Sequence, residues 1–189
     1  MNWLLFAIVG WVVLGLELSL RELLQLGPGG IAPSFMLAYM VFIAMWAPAP
    51  GALGAAFLLG MLVDLTGPIL IGSQTHVVAG PHALGYTLGA WLVVNARGSV
   101  MRRNPVTLVS LTVLTGVIDA VVVVFLHSVR DLYDPFAWKP TGELVVALAS
   151  ALYSGAAAAA LALPLFGIIP LFGFPSGVAH GTRASVHRA

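Results

Sequence analysis

Residues 51–91, GALGAAFLLGMLVDLTGPILIGSQTHVVAGPHALGYTLGAW, hold two long apolar runs, and one carboxylate, Asp64, lies inside the first. A carboxylate within such a run costs roughly 2.5–3.5 kcal/mol on membrane-insertion scales, so it faces protein or water and not lipid. Gly60 and Asp64 are four residues apart and share one face of a helix. A glycine on that face lets a neighbouring backbone come close and offer hydrogen bonds to the carboxylate. Gly67-Pro68 interrupts the run one turn later, a break tolerated in a bilayer only where protein or water satisfies the freed backbone groups. A polar turn follows, Gly72-Ser73-Gln74-Thr75-His76, and Pro81-His82-Ala83-Leu84-Gly85-Tyr86 leads into the second run. His82 is expected to cap or hydrogen-bond locally near the interface. Gly85 and Gly89 form a Gly-x-x-x-Gly, a close-packing face.

The composition selects the solvent. Hydrophobic residues make up 60% of the 189 and charged residues 8%, with a mean hydropathy of +1.01. Soluble domains carry roughly 25% charge, so this chain has too little polar surface to cover itself in water. A net charge of +1 provides no basic stripe for phosphates and excludes a nucleic-acid partner. With no cysteine there is no disulfide, thiolate nucleophile or cysteine metal site. The expected fold class is all-α: a polytopic membrane bundle of about six helices, with the lipid bilayer as its surroundings.

The spans are expected at residues 2–20, 31–47, 52–71, 77–95, 105–127 and 141–164. The first lacks the basic n-region and small-x-small site of a secretory signal and is near the ~20 residues that cross ~30 Å. Glu17, near its end, is read first as an interfacial anchor whose charge reaches the headgroups, with a buried functional Glu17 as the second reading. Met36, Met40 and Met45 in the second span are packing residues, and Trp46 fits an interfacial belt. In the sixth, Glu143 complements the helix dipole, and the thin run GAAAAA at 155–160 places this span inside the bundle. Residues 127–140 form a polar loop whose Tyr133, Phe136 and Trp138 hug the interface. The bundle occupies residues 1–175, and residues 176–189 form a polar, disordered cytoplasmic tail. Six spans put both termini beside Arg97, Arg102, Arg103, Arg183 and Arg188, against Arg21, Arg130 and Lys139 on the other side. The bias places both ends in the cytoplasm.

Asp64 and Asp119 are the only acids well inside apolar runs. An aspartate pair on neighbouring helices points to intramembrane proteolysis or ion coupling, yet no Gly-x-Gly-Asp, H-E-x-x-H or G-x-S-x-G occurs. The structural reading ranks first for both: a bond to a neighbouring helix or partner protein, ahead of a ligand or ion cavity, with catalysis last. His76 and His82 have no third ligand nearby and form no metal site, and no cofactor motif is present. Few polar residues are expected to point inward.

The residues Leu59-Gly60-Met61-Leu62-Val63-Asp64-Leu65, Gly67 and Gly72, and then His82-Ala83-Leu84-Gly85-Tyr86 with Gly89, resemble the central region of MreD, the bacterial rod-shape-determining membrane protein family. The turn at residues 71–81 is longer than that family's connection. The resemblance implies a non-enzymatic scaffold of the cell-elongation complex in the bacterial inner membrane, without a cofactor. Its implied partners are an MreC-like single-span protein, a peptidoglycan polymerase with its transpeptidase, and MreB filaments. It also implies a fold like the substrate-binding subunits of energy-coupling-factor transporters, which supplies the alternative of a small-molecule-binding transporter subunit. The structural or partner-interface candidates are Gly60, Asp64, Gly67, His82, Gly85 and Gly89, from the stretches that carry the resemblance, and Asp119, from its place inside an apolar run.

Overall fold

The computed structural model describes residues 1–27, 30–67, 69–71, 74–76, 79–133 and 139–174. Among these are six helices, α1 (Trp3–Leu24), α2 (Phe35–Trp46), α3 (Ala49–Thr66), α4 (Pro81–Ala96), α5 (Pro105–Asp131) and α6 (Pro140–Gly167). A two-stranded antiparallel hairpin, β1 (Ile69–Ile71) and β2 (Gln74–His76), joins α3 to α4, and a 3-10 helix (Ile169–Phe172) follows α6. Four helices, α1, α3, α5 and α6, are long and apolar enough to cross a membrane. The architecture fits a helical bundle embedded in a bilayer. Outward positions agree with that solvent: Leu4, Trp11, Phe125, Leu152 and Leu163 are all exposed apolar side chains.

The chain wraps around α2. Every residue from Phe35 to Met45 is buried, and α2 packs against α1, α3, α4, α5 and α6. Its Met36, Met40 and Met45 are core side chains. Its sequence, FMLAYMVFIAMW, carries no charge on any face, which is what a helix enclosed on all sides requires. The interior helix is therefore α2 and not the thin α6, correcting the expectation for the sixth span. In α6, Gly155 and the neighbouring alanines let α5 come close: a Cβ at Gly155 would lie 2.9 Å from Val113 Cγ2. The opposite side of α6 stays exposed at Leu152 and Leu163.

The ends of the expected spans shift: the first and fifth run four residues further, to Leu24 and Asp131, and the second, third and fourth are shortened at one end. The second begins at Phe35, and residues 31–34 are not helical. Their backbone is satisfied from α6: Ala32 N–H donates to Ser150 Oγ (3.3 Å) and Ser34 N–H to Ser154 Oγ (2.8 Å). Irregular backbone among apolar helices persists where protein supplies such partners. The third span stops at Thr66, with residues 69–71 a strand, and the fourth starts at Pro81. Ser34, Asn2 and Asn104 cap α2, α1 and α5 with side-chain oxygens, as residues of their type do. Pro68, Gly72, Phe136, Trp138 and the polar tail lie outside the described residues.

At the N-terminal end of α1, Tyr39 donates its hydroxyl to Phe6 O (2.9 Å), and Phe42 packs among Tyr39, Phe166, Phe172 and Phe174. Near the same end, Arg97 follows α4 and donates to Ala44 O and Ala47 O. A cation there serves the open carbonyls at the C-terminus of α2.

Candidate functional site

At the opposite end of the bundle, α1, α3 and α5 finish while α2, α4 and α6 begin. The first turn of α4 carries no side-chain cap of its own: Gly80 holds the N-cap position at φ 126° and Pro81, at N1, has no N–H. Asp64 supplies the cap from α3. Its Oδ2 accepts from Gly80 N (2.8 Å) and Ala83 N (3.2 Å), and its Oδ1 from His82 N (3.1 Å). The carboxylate is 4% exposed and lies at the positive end of the α4 dipole, where an anion is stabilised. Gly60 makes this possible, because a Cβ there would lie 2.5 Å from Ala83 Cα and from His82 O. The two helices meet backbone to backbone at that point.

The other face of α4 meets α5. A Cβ at Gly85 would lie 2.1 Å from Asp119 Oδ1, and one at Gly89 2.1 Å from Thr115 Cγ2. Asp119 is buried on α5, and its Oδ2 meets His82 Nδ1 at 2.9 Å. His82 thus joins a second helix through its ring while its backbone is held by Asp64, so its bonding is tertiary and not the local cap expected. Oδ1 of Asp119 has no hydrogen-bond partner among the described residues and lies over the bare Cα of Gly85. Gly67 stands apart from this joint as the C-cap of α3, its N–H donating to Val63 O (3.0 Å). Gly60, Asp64, His82, Gly85, Gly89 and Asp119 therefore form one continuous α3–α4–α5 joint.

Next to the joint is a partly open cavity of about 470 Å³. Its polar wall includes Glu17, Ser34, His82, Tyr86 and Asp119, with Arg21 and Glu143 contributed by α1 and α6. Leu37, Val63, Val123, Val146 and Ala147 form an apolar wall. Polar side chains do face inward here, which overturns the expectation that few would. Glu17 is the clearest correction: it accepts from Met36 N (2.7 Å) and Ser34 Oγ (3.1 Å) at the start of α2. It does not reach out to the headgroups. Ser34 Oγ also accepts from Leu37 N (3.1 Å) and lies 3.3 Å from Tyr86 Oη.

Sequence reasoning ranked a buried Glu17 second and missed Ser34, Tyr86, Ser150 and Ser154 as site residues. One available signal was Pro33-Ser34 just before an apolar run, a helix-start pattern that places Ser34 at a cap and brings the α2 N-terminus beside Glu17. The serines on α6 carry no comparable signal, since Ser150 and Ser154 look like any hydroxyls bonding back to their own helix. No protein-family model matches the chain, and no curated protein or solved structure matches it either.

Proposed function

We propose that this chain is a non-enzymatic scaffold of the MreD kind in the bacterial inner membrane, part of the cell-elongation complex. In this reading α2 and α4 are spans alongside the four longer helices, giving six, and both termini face the cytoplasm. The protein pairs with an MreC-like single-span partner and couples a peptidoglycan polymerase and transpeptidase to MreB filaments. The supporting observation is that the two stretches carrying the resemblance, 59–65 and 82–86, are one joint, built around Gly60 and Asp64. Both oxygens of Asp64 are engaged by backbone N–H groups, a structural duty that favours a scaffold over an aspartate-dependent enzyme.

The cavity favours a second reading, a small-molecule-binding membrane subunit of an energy-coupling-factor-type transporter. Its volume is within the range of small-ligand sites, and its walls mix carboxylates, hydroxyls and apolar side chains. Affinity capture of the tagged protein from native membranes separates the two. Recovery of a single-span coiled-coil protein together with wall synthases supports the scaffold. Recovery of ATPase subunits without those partners rejects the scaffold in favour of the transporter subunit.

A further inference from the structure

The cavity has a donor–acceptor balance that narrows what it can hold. Ser34 has one hydroxyl hydrogen, and it goes to Glu17, whose two oxygens lie 3.1 and 3.3 Å from Ser34 Oγ. The Tyr86 hydroxyl, 3.3 Å from the same Ser34 oxygen, must then be the donor in that contact. Its own oxygen is left as an acceptor. Glu17 receives the Ser34 hydroxyl and the backbone N–H groups of Met36 and Phe35, three donors for a carboxylate that offers about four lone-pair sites. Acceptor capacity therefore remains on Glu17 and Tyr86 at the base of the cavity, with the donors of Arg21 and Gln25 elsewhere on its wall. Glu17 is partly exposed, and the open side is the cavity. The part of an occupant that meets Glu17 and Tyr86 brings N–H or O–H donors, and a positive charge there adds to Arg21 in offsetting the carboxylate in a poorly solvated site.

Formal charge agrees. Glu17, Asp119 and Glu143 line the cavity against Arg21 and the His82 imidazole. The Tyr86 and His82 rings, at right-angled packing with centroids 6.1 Å apart, add aromatic surface of the type that attracts cations. The cavity is bounded by α1 on one side and α6 on the other, and each packs on α2. The apolar wall is formed by Leu37, Val123, Val146 and Ala147.

We propose that this cavity binds a primary ammonium group, held by Glu17 with Tyr86 as second acceptor. Such a group comes from the headgroup of an amino-bearing lipid entering beside the apolar wall, or from a free amine in water. The inference requires the cavity alone and adds to either function above, since a scaffold and a transporter subunit can both hold such a ligand.

The test is binding to the purified full-length protein in detergent micelles, by calorimetry or native mass spectrometry. The probes are dioctanoyl phosphatidylethanolamine, its N-acetyl derivative, dioctanoyl phosphatidylcholine and free ethanolamine. The ethanolamine lipid is expected to bind at least tenfold tighter than the N-acetyl form, which has lost the charge, and than the choline form, which has no N–H. Glu17→Gln is expected to lose at least tenfold for the ethanolamine lipid and nothing for the N-acetyl form. Where that variant does not fold, Tyr86→Phe provides the same comparison with a smaller loss. Free ethanolamine displacing the lipid identifies a soluble amine as sufficient; lipid binding without such displacement identifies the bilayer as the source. Equal binding of the three lipids, or no binding of either amine probe, overturns the proposal. In the equal-binding case the cavity remains a lipid site without ammonium recognition.

Discussion

Replacing Asp64 by alanine tests the α3–α4 joint most directly. The carboxylate serves three backbone donors, on Gly80, His82 and Ala83, at 2.8, 3.1 and 3.2 Å. Leaving a buried donor without a partner costs about 1–3 kcal/mol. The three are not equivalent. Ala83 is fully buried, so water cannot replace its bond, whereas Gly80 and His82 are partly exposed. The full penalty at Ala83 and a reduced one at each of the others predict a loss of about 3 kcal/mol for Asp64→Ala. Asp64→Asn retains one oxygen. Placed where Oδ2 is now, it still serves Gly80 and Ala83 and leaves only His82 N–H opposed by an amide, for a loss of about 1 kcal/mol. The assay is equilibrium unfolding in detergent, read together with hydrogen exchange at the first turn of α4. Exchange at Ala83 is expected to accelerate by about a hundredfold in the alanine variant, the equivalent of about 3 kcal/mol if the turn opens locally. Unchanged unfolding and unchanged exchange at Ala83 would refute the capping account. Equal damage from alanine and asparagine would refute the division of work between the two oxygens.

Gly60→Ala sets a Cβ 2.5 Å from backbone atoms that cannot rotate away, so a loss of about 3 kcal/mol is expected. Gly89→Ala meets the Thr115 side chain and not backbone; its unfolding midpoint should fall less than that of Gly60→Ala. Ser154→Ala removes the acceptor of Ser34 N–H and is expected to cost about 1–2 kcal/mol, with faster amide exchange at Ser34 as the readout. A double-mutant cycle on His82 and Asp119 should give a favourable coupling of about 1 kcal/mol, discounted because His82 is one-third exposed. Zero coupling would mean that the 2.9 Å contact contributes nothing to the folded state.

The periodic part of this fold is legible in the sequence, and the convergent part is not. Four-residue spacing is a local property, so it is enough to put Gly60 and Asp64 on one face and Gly85 and Gly89 on another. It does not say that α4 lies between α3 and α5, with the first pair on one flank and the second on the other. Apolar content misplaces boundaries for a related reason. Residues 31–34 and 77–80 are apolar enough to be counted into helices, but Ser34 and Pro81 carry the start signals that fix the observed ends. Glu17 is the hardest case. An acid near the end of an apolar run has the same local pattern whether it reaches headgroups or turns inward. Only the extended segment 31–34, anchored by two serines more than a hundred residues away, brings the α2 N-terminus to it.

These residues follow a repeated arrangement. The chain forms three successive helix pairs, α1/α2, α3/α4 and α5/α6, and the outgoing helix of each carries one inward acid in its second half: Glu17, Asp64 and Asp119. In the first two pairs that acid accepts backbone N–H groups at the start of the returning helix. The anion thus satisfies donors that the helix itself leaves open. The third pair departs from the rule. Glu143 occupies the first turn of α6, and Asp119 instead takes the His82 ring of the neighbouring pair. A bundle that needed acids only to close helix ends would have used Asp119 the same way. Its redirection links the α3–α4 joint to the wall of the cavity, because His82 and Asp119 belong to both.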